Sequence, residues 1–281
     1  MSLKNNQGTN ELFSAELRKA AQHLHATESY FQDNLLLPDD IFIASYPRSG
    51  SHFVRFIILS AIHYTIHGAF PGNFSGMTGI PDIHGGNLEL AAMKPRIIKT
   101  HYPYDPRYRN VIHLVRDPRD LVVSYFFFTS TKKQLFFENL PRPPTLSEFS
   151  DLFIRGQVWP GDLCHHTASF QAARNDTNYL LIQYERLIHH PREEITRLLE
   201  YLNIDMDEAA VSQLIDHTSF DNMSRLHDPL SAREGGTPER REQMLRKGTT
   251  GGHKDVLSQD ILRSIERHFR DHLYSCGYLQ E

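Results

Sequence analysis

The stretch that most constrains this chain is IFIASYPRSGSHFVRFIILSAI, Ile41 to Ile62. A short apolar, β-branched run stops at Pro47. A polar turn holding Arg48, Ser49, Gly50 and Ser51 follows, and the chain then re-enters an apolar segment. A short apolar run bounded by breakers predicts a buried parallel strand. The longer apolar segment predicts a helix, apolar almost all round and therefore central. A strand that enters a helix through such a turn presents successive N–H groups and a helix N-terminus to one point, which is how proteins cradle anions. The turn lacks the GK[ST] ending of a nucleotide P-loop. Taken alone, it also fits a strand–helix connection with one surface arginine.

The rest of the chain repeats the alternation. RIIKTHYP, NVIHLVRD and NYLLIQYERL read as further strands, and PRDLVVSYFFFTS as the helix entered from the third strand, with Pro118 in its first turn. PREEITRLLEYLNI, DEAAVSQLIDHTSF and SQDILRSIERHFRDHLYSCGY read as amphipathic helices, and residues 11–26 as a weakly helical stretch of a polar extension ending near 38. Strand–helix alternation predicts an α/β fold, a mainly parallel sheet covered by helices on both faces, in one domain over 39–281. Residues 68–95 read as a long Gly- and Pro-rich loop of the kind that often meets substrate, and 225–257 as a charged, Gly-rich region without periodicity.

Composition removes several function classes. With 281 residues and a net charge of -4, the chain has no global attraction for nucleic acid or anionic membranes, so anion binding must come from local clusters of cations. No stretch reaches ~18 uninterrupted apolar residues, so no transmembrane helix is expected. The N-terminus lacks the apolar region of a signal peptide, and a cytoplasmic location is expected. The 17 histidines form no zinc spacing with Cys164 and Cys276, whose scarcity suggests reduced thiols and leaves room for a single disulfide.

Three further sites carry chemistry. In IIKTHYP, Lys99 and His101 stand two apart, so a strand would place a cation and a titratable base on one face at its carboxyl end. In LVRDPRDLVVSYFFF, Arg116 ends a strand and Ser124 lies two helical turns on; an arginine there suits a bidentate phosphate contact, or an ion pair with Asp117 or Asp120. In MLRKGTTGGHKD, Arg246 and Lys247 precede Gly248, a basic glycine-rich loop able to close over a phosphate or to remain a solvated turn.

The order of these segments resembles the sulfotransferases that use 3'-phosphoadenosine 5'-phosphosulfate (PAPS). YPRSGSHF resembles their 5'-phosphosulfate loop, VIHLVRDPRDLVVSYFFF their 3'-phosphate motif, and MLRKGTTGGHKD their late RKG loop. FIRGQVWPGDLCHH, IQYERLIHHPREEI and HTSFDNM match further family elements. The resemblance runs over nearly the whole chain from about residue 40. It implies a three-layer α/β/α fold like that of P-loop nucleoside-triphosphate hydrolases. It also implies that Arg48, Ser49, Gly50, Ser51 and His52 line the 5'-phosphosulfate, and that Arg116, Ser124, Arg246, Lys247 and Gly248 hold the 3'-phosphate. Phe53, Tyr184, Thr218 and Phe220 would surround the adenine. His101 would be general base toward an acceptor hydroxyl or amine, with Lys99 and Arg48 stabilising charge. Sulfuryl transfer of this kind is an in-line displacement served by fixed positive charge, so no metal is expected.

The sequence departs from the family at Arg48 for its usual lysine, His52 for its second threonine and Phe53 for its tryptophan, and KDVLSQDILR replaces its dimer motif, leaving the oligomeric state open. The acceptor, a small molecule, lipid or glycan, is expected near residues 68–95 and 126–160, among Phe70, Phe74, Phe126 to Phe128, Phe136, Phe137, Phe153 and Trp159. Aromatics at this density also suit an ordinary core. Two other readings compete: an ATP-dependent P-loop kinase, disfavoured by the missing GK[ST], and an adenine-nucleotide binder without transferase activity.

Overall fold

The computed structural model describes residues 36–72, 79–83, 93–131, 142–233 and 248–279. Its centre is a parallel sheet of β1 (Ile41–Ser45), β2 (Ile97–Thr100), β3 (Asn110–Val115) and β4 (Asn178–Gln183), in the order β2-β1-β3-β4. The register pairs Ala44 with Thr100 on one side of β1, and Ser45 with Leu114 on the other. β1 is thus the inner strand whose neighbours leave in opposite directions, the crossover point where open α/β sheets form ligand crevices.

Side-chain alternation along the strands builds the two flanking layers. Ile41, Ile43, Ile112, Leu114, Leu180 and Ile182 face α1 (Ser51–His67). Phe42, Ala44 and Val111 face the other way, onto Phe170 and Tyr108. Between these runs lie α2 (Pro118–Thr131), α3 (Leu146–Ile154) and α4 (Leu163–Ala172). After β4 come α5 (Tyr184–His189), α6 (Pro191–Tyr201), α7 (Glu208–His217), α8 (Phe220–Arg233), a 3-10 turn at Gly252–Asp255, α9 (Gln259–His268) and α10 (Arg270–Ser275). A third apolar cluster joins α2 and α3 to α9 and α10 through Val122, Phe149, Phe153, Ile265, Phe269 and Leu273.

Four expectations are corrected. α1 is central only in its first three turns, where its buried residues run from Ser51 to Ala61; beyond the sheet it enters solvent, and Ile66 is 68% exposed. The fourth strand stops at Gln183 and YERL turns into α5, because half-buried Glu185 is held by the Asp117 N–H at 3.1 Å and the Tyr278 hydroxyl at 2.7 Å. The closing helix is two, parted at Phe269, which is fully buried and brings the chain round so that Ile265 and Leu273 enter the same core. The region after 225 is helical as far as Arg233. The extension before residue 36 and the helix expected at 11–26 lie outside the described residues.

Two helices escaped the sequence reading, α3 and α4. α3 carries a legible start signal: Thr145 caps it and Glu148 reaches back to the Thr145 N–H at 2.7 Å, a complete capping box. Both cysteines are free.

Candidate active site

The carboxyl ends of the four strands converge. β1 enters the loop Tyr46–Gly50, β2 runs into His101, β3 into Arg116 and β4 into Tyr184. The strand order sets the loop after β1 between His101 on one side and Arg116 on the other.

The loop is shaped by two left-handed residues, Arg48 at φ 72° and Gly50 at φ 102°. Gly50 is required twice over. Its φ suits glycine, and a Cβ there would meet Tyr184 Cδ2 at 2.6 Å. The turn delivers the chain into α1, whose N-terminus has no side-chain cap, so its first N–H groups face the loop. Ser49 is buried with its hydroxyl unpartnered. An unsatisfied buried hydroxyl beside an uncapped helix N-terminus is a cost that an anionic ligand would relieve.

Arg116 lies against this loop from the β3 side. It donates to the Arg48 carbonyl at 2.9 Å, and its guanidinium stacks 4.2 Å from the Tyr184 ring centroid, while its Nε is buried without a partner. The ion pair considered for it does not form. Asp117 is held by Arg119 instead, and Asp120 by the chain around His253. Arg48 crosses toward α2, with Nε 3.3 Å from Ser124 Oγ and the guanidinium 4.8 Å from the Phe128 ring centroid. Ser124 and the loop therefore belong to one cluster.

His101 sits on the opposite flank. Its Nδ1 lies 2.6 Å from the Ser45 carbonyl, which can only accept, so Nδ1 carries the proton and Nε2 is the basic nitrogen. The Trp159 ring stands nearly perpendicular to it, with 5.4 Å between centroids. Trp159 is itself fixed, since its carbonyl accepts from the Tyr125 hydroxyl at 2.7 Å, and Tyr46 does the same for Gly161 at 2.8 Å. Lys99 is buried, pairs with Asp82 and has its pKa drawn down by burial, with Asp82 opposing that shift. His52, in the first turn of α1, is held well below the usual histidine range by burial and by the charges of Lys99, Arg55 and Arg48. It is therefore neutral at pH 7 and offers one ring N–H. Ser51 opens the same helix and is buried.

The adenine residues expected from sequence divide into three. Phe53 and Phe220 pack in one cluster with Phe56, Met223 and Leu226. Tyr184 lies under Gly50 and Arg116. Thr218 is buried at the end of α7, and its hydroxyl donates to the Leu214 carbonyl at 2.8 Å. Gly248 approaches Phe220 so closely that a Cβ would lie 2.1 Å from its ring, at φ 62°. Arg246 and Lys247 lie outside the described residues, as do Phe74, Phe136 and Phe137. Of the aromatics on the acceptor side, Phe153 is core, packed edge-on against Tyr46.

Sequence reasoning missed the residues that hold others in place. Asp120 accepts from the Gly251 N–H at 2.5 Å and from the His253 N–H and Nδ1, both at 2.9 Å, tying the chain after Gly248 to α2. Ser45 fixes the His101 ring, and Asp82 the lysine. These partners are remote in sequence, and no local pattern marks them.

A family described as the sulfotransferase domain matches residues 38–277. The chain belongs to the sulfotransferase family. It is 27% identical to Sulfotransferase 1E1 of Rattus norvegicus over 259 residues, covering 85% of each. It is 30% identical to Sulfotransferase 1 family member D1 of Mus musculus over 263 residues, covering 85% of this chain and 83% of the relative. Among solved structures, mouse sulfotransferase SULT7A1 complexed with PAP superposes with a TM-score of 0.64 at 25% identity over 85% of both chains. Retinol dehydratase in a complex with retinol and PAP shares the fold, with a TM-score of 0.69 at 21% identity over 88% of this chain and 86% of that one. The three-layer α/β fold expected from sequence is the one observed, and the chain is a sulfotransferase. Among the described residues no helix is long and apolar enough to cross a membrane.

Proposed function

We propose that residues 39–281 form a single domain that moves a sulfuryl group from PAPS to a hydroxyl or amine of an acceptor by in-line displacement, without a required metal. The observation that carries this reading is the placing of His101. Its basic Nε2 is set by the 2.6 Å contact of Nδ1 with Ser45, at the strand end beside the loop of Arg48 and Ser49.

PAPS supplies an activated sulfuryl group on a phosphate leaving group. The residues present fit such a donor: the buried, unpartnered Ser49 Oγ and Arg116 Nε are polar atoms waiting for anionic oxygens. Arg48, Ser49, Gly50, Ser51 and His52 are assigned to the 5' end. Arg116, Ser124, Arg246, Lys247 and Gly248 are assigned to the 3'-phosphate, and Phe53, Tyr184, Thr218 and Phe220 to the adenine side. His101 Nε2 accepts the acceptor's proton as that oxygen or nitrogen bonds to sulfur and the bond between sulfur and the phosphate oxygen breaks. Lys99 and Arg48 stabilise the spread charge, and the N-terminus of α1 receives the charge left on the phosphate. Arg48 keeps its proton throughout, because a guanidinium does not deprotonate in proteins. The acceptor, a small molecule, lipid or glycan, is assigned to the side of Trp159, whose ring packs T-shaped on His101. The two free thiols suit a reducing, cytoplasmic setting.

Transfer of labelled sulfate from PAPS across a panel of phenols, alcohols, amines and glycans tests the reading. Transfer should vanish in His101→Ala while 3'-phosphoadenosine 5'-phosphate (PAP) still raises the melting temperature in the presence of a chelator. Thermal stabilisation by Mg-ATP alone would overturn it.

A further inference from the structure

Lys99 is a buried cation whose ammonium, among the described residues, pairs with one carboxylate, and that partner comes from an unexpected place. Residues 79–83 return to the edge of the sheet. Asp82 bridges to Lys99 in parallel fashion, the Ile83 N–H donates to the Lys99 carbonyl at 2.9 Å, and the Lys99 N–H donates to the Pro81 carbonyl at 2.9 Å. Ile80 and Ile83 are buried, which anchors the segment on both sides of Asp82. The backbone ladder sets the position of Asp82, and its carboxylate ion-pairs with Lys99 Nζ. Arg55 fixes the same segment from α1, donating to the Ile80 carbonyl at 2.5 Å. Asp82 keeps 31% of its side chain exposed while Lys99 keeps 5%, so the carboxylate is the more solvent-accessible member of the pair.

We propose that Asp82 is a positioning residue for sulfuryl transfer: it keeps the Lys99 ammonium protonated and aimed at the strand ends, and it yields that ammonium when a sulfuryl group arrives. The inference rests on the transfer reaction assigned above. The charged and titratable groups around Lys99 define the problem. His52 and Arg55 face it from α1, His101 follows two residues later, and Asp82 faces it from the edge segment. Burial and Arg55 both favour losing the lysine's proton, and one carboxylate opposes them. Without Asp82 the lysine would drift toward the neutral amine, which stabilises no developing anion. With it, the ammonium is kept but partly neutralised in the resting site. An incoming anion then competes with Asp82 for the same three N–H donors.

The test uses the full chain with 13Cε-labelled lysine. The Lys99 resonance is the one missing from Lys99→Arg. In Asp82→Asn its titration midpoint should fall by about one pH unit or more, the usual effect of removing an opposite charge at this range, and Asp82→Glu should restore most of the shift. With PAPS as donor and p-nitrophenol as probe acceptor, the alkaline limb of kcat should move to lower pH in Asp82→Asn by the same amount. A merely structural role would lower stability without moving that limb. A Lys99 midpoint that stays in place in an Asp82→Asn protein with native circular dichroism overturns the inference. Failure of the wild type to transfer sulfate to any acceptor overturns the assigned reaction instead, and with it the catalytic part of the inference, while the resonance still decides the ion pair.

Discussion

At Gly50 a missing side chain shapes the site more than any present one. The φ of 102° and the Tyr184 ring 2.6 Å from a would-be Cβ mean that Gly50→Ala must shift either the loop or the tyrosine. Left-handed backbone alone costs an alanine roughly 1–2 kcal/mol. Shifting Tyr184 also disturbs the stacked Arg116. We expect a lower urea midpoint and a larger loss of PAP affinity in calorimetry; a variant with unchanged PAP affinity would show that the close approach is incidental. Arg116→Lys keeps the charge but loses the planar stack on Tyr184 and the fork that reaches the Arg48 carbonyl. PAP binding should weaken by about tenfold or more, about 1.4 kcal/mol, with little change in melting temperature of the free protein. Equal affinity in the two proteins would remove Arg116 from the nucleotide site.

Between elements, the contact that organises the late part of the chain is the grip of Asp120 on Gly251 and His253. It joins the loop after Gly248 to the helix that carries Ser124, so one carboxylate couples two parts of the proposed phosphate site. Its pKa is held low by the side chain and backbone N–H of His253 and by Gly251, although burial pushes the other way. Asp120→Ala removes three donors' acceptor, at about 1–3 kcal/mol for buried groups left unsatisfied. Hydrogen exchange should accelerate at residues 248–255 and PAP affinity should fall; unaltered exchange there would mean that the loop is held by other contacts. The sequence made much of this level legible. Apolar runs and proline positions located β1, β2, β3 and the start of α2, because those signals are local. The loop at Arg48 and the histidine at 101 were also legible, since a strand end next to polar residues has few alternatives in a parallel sheet. The partners of those residues were hidden. Ser45, Asp82 and Asp120 are ordinary polar residues until the sheet brings position 45 beside 101 and 82 beside 99. The turn at Tyr184 was hidden for the same reason, since its cause is Glu185 meeting Tyr278 from 93 residues away.

For the molecule as a whole, buried histidines behind the sheet set the response to acid. His113 lies stacked on Phe170 with Nδ1 2.6 Å from the Tyr179 hydroxyl, and His166 and His272 are buried near it. Burial holds all three below the ordinary histidine pKa, His166 at about 3, His272 at about 4, and His113 well below the usual value. Each is neutral in the folded chain and takes up a proton near pH 6.5 once unfolded. The unfolded state therefore binds more protons below pH 6.5, so stability is fully present above that value. It is lost as pH falls through 6.5 toward 4 for His272 and toward 3 for His166. The slope approaches about 1.4 kcal/mol per pH unit for each such group. Glu185 acts in the opposite sense. Burial raises its folded pKa, so its contribution weakens as pH rises above the ordinary carboxylate range. Comparing proteins that share Glu185 isolates the histidine effect. Urea unfolding of the wild type and of His166→Phe between pH 7.5 and 5 should show the wild type losing stability more steeply below pH 6.5. The two curves should run parallel above it. Parallel curves throughout would mean that His166 is solvated or already charged in the folded chain, and the acid response between pH 6.5 and the carboxylate range would then fall to His113 and His272 alone.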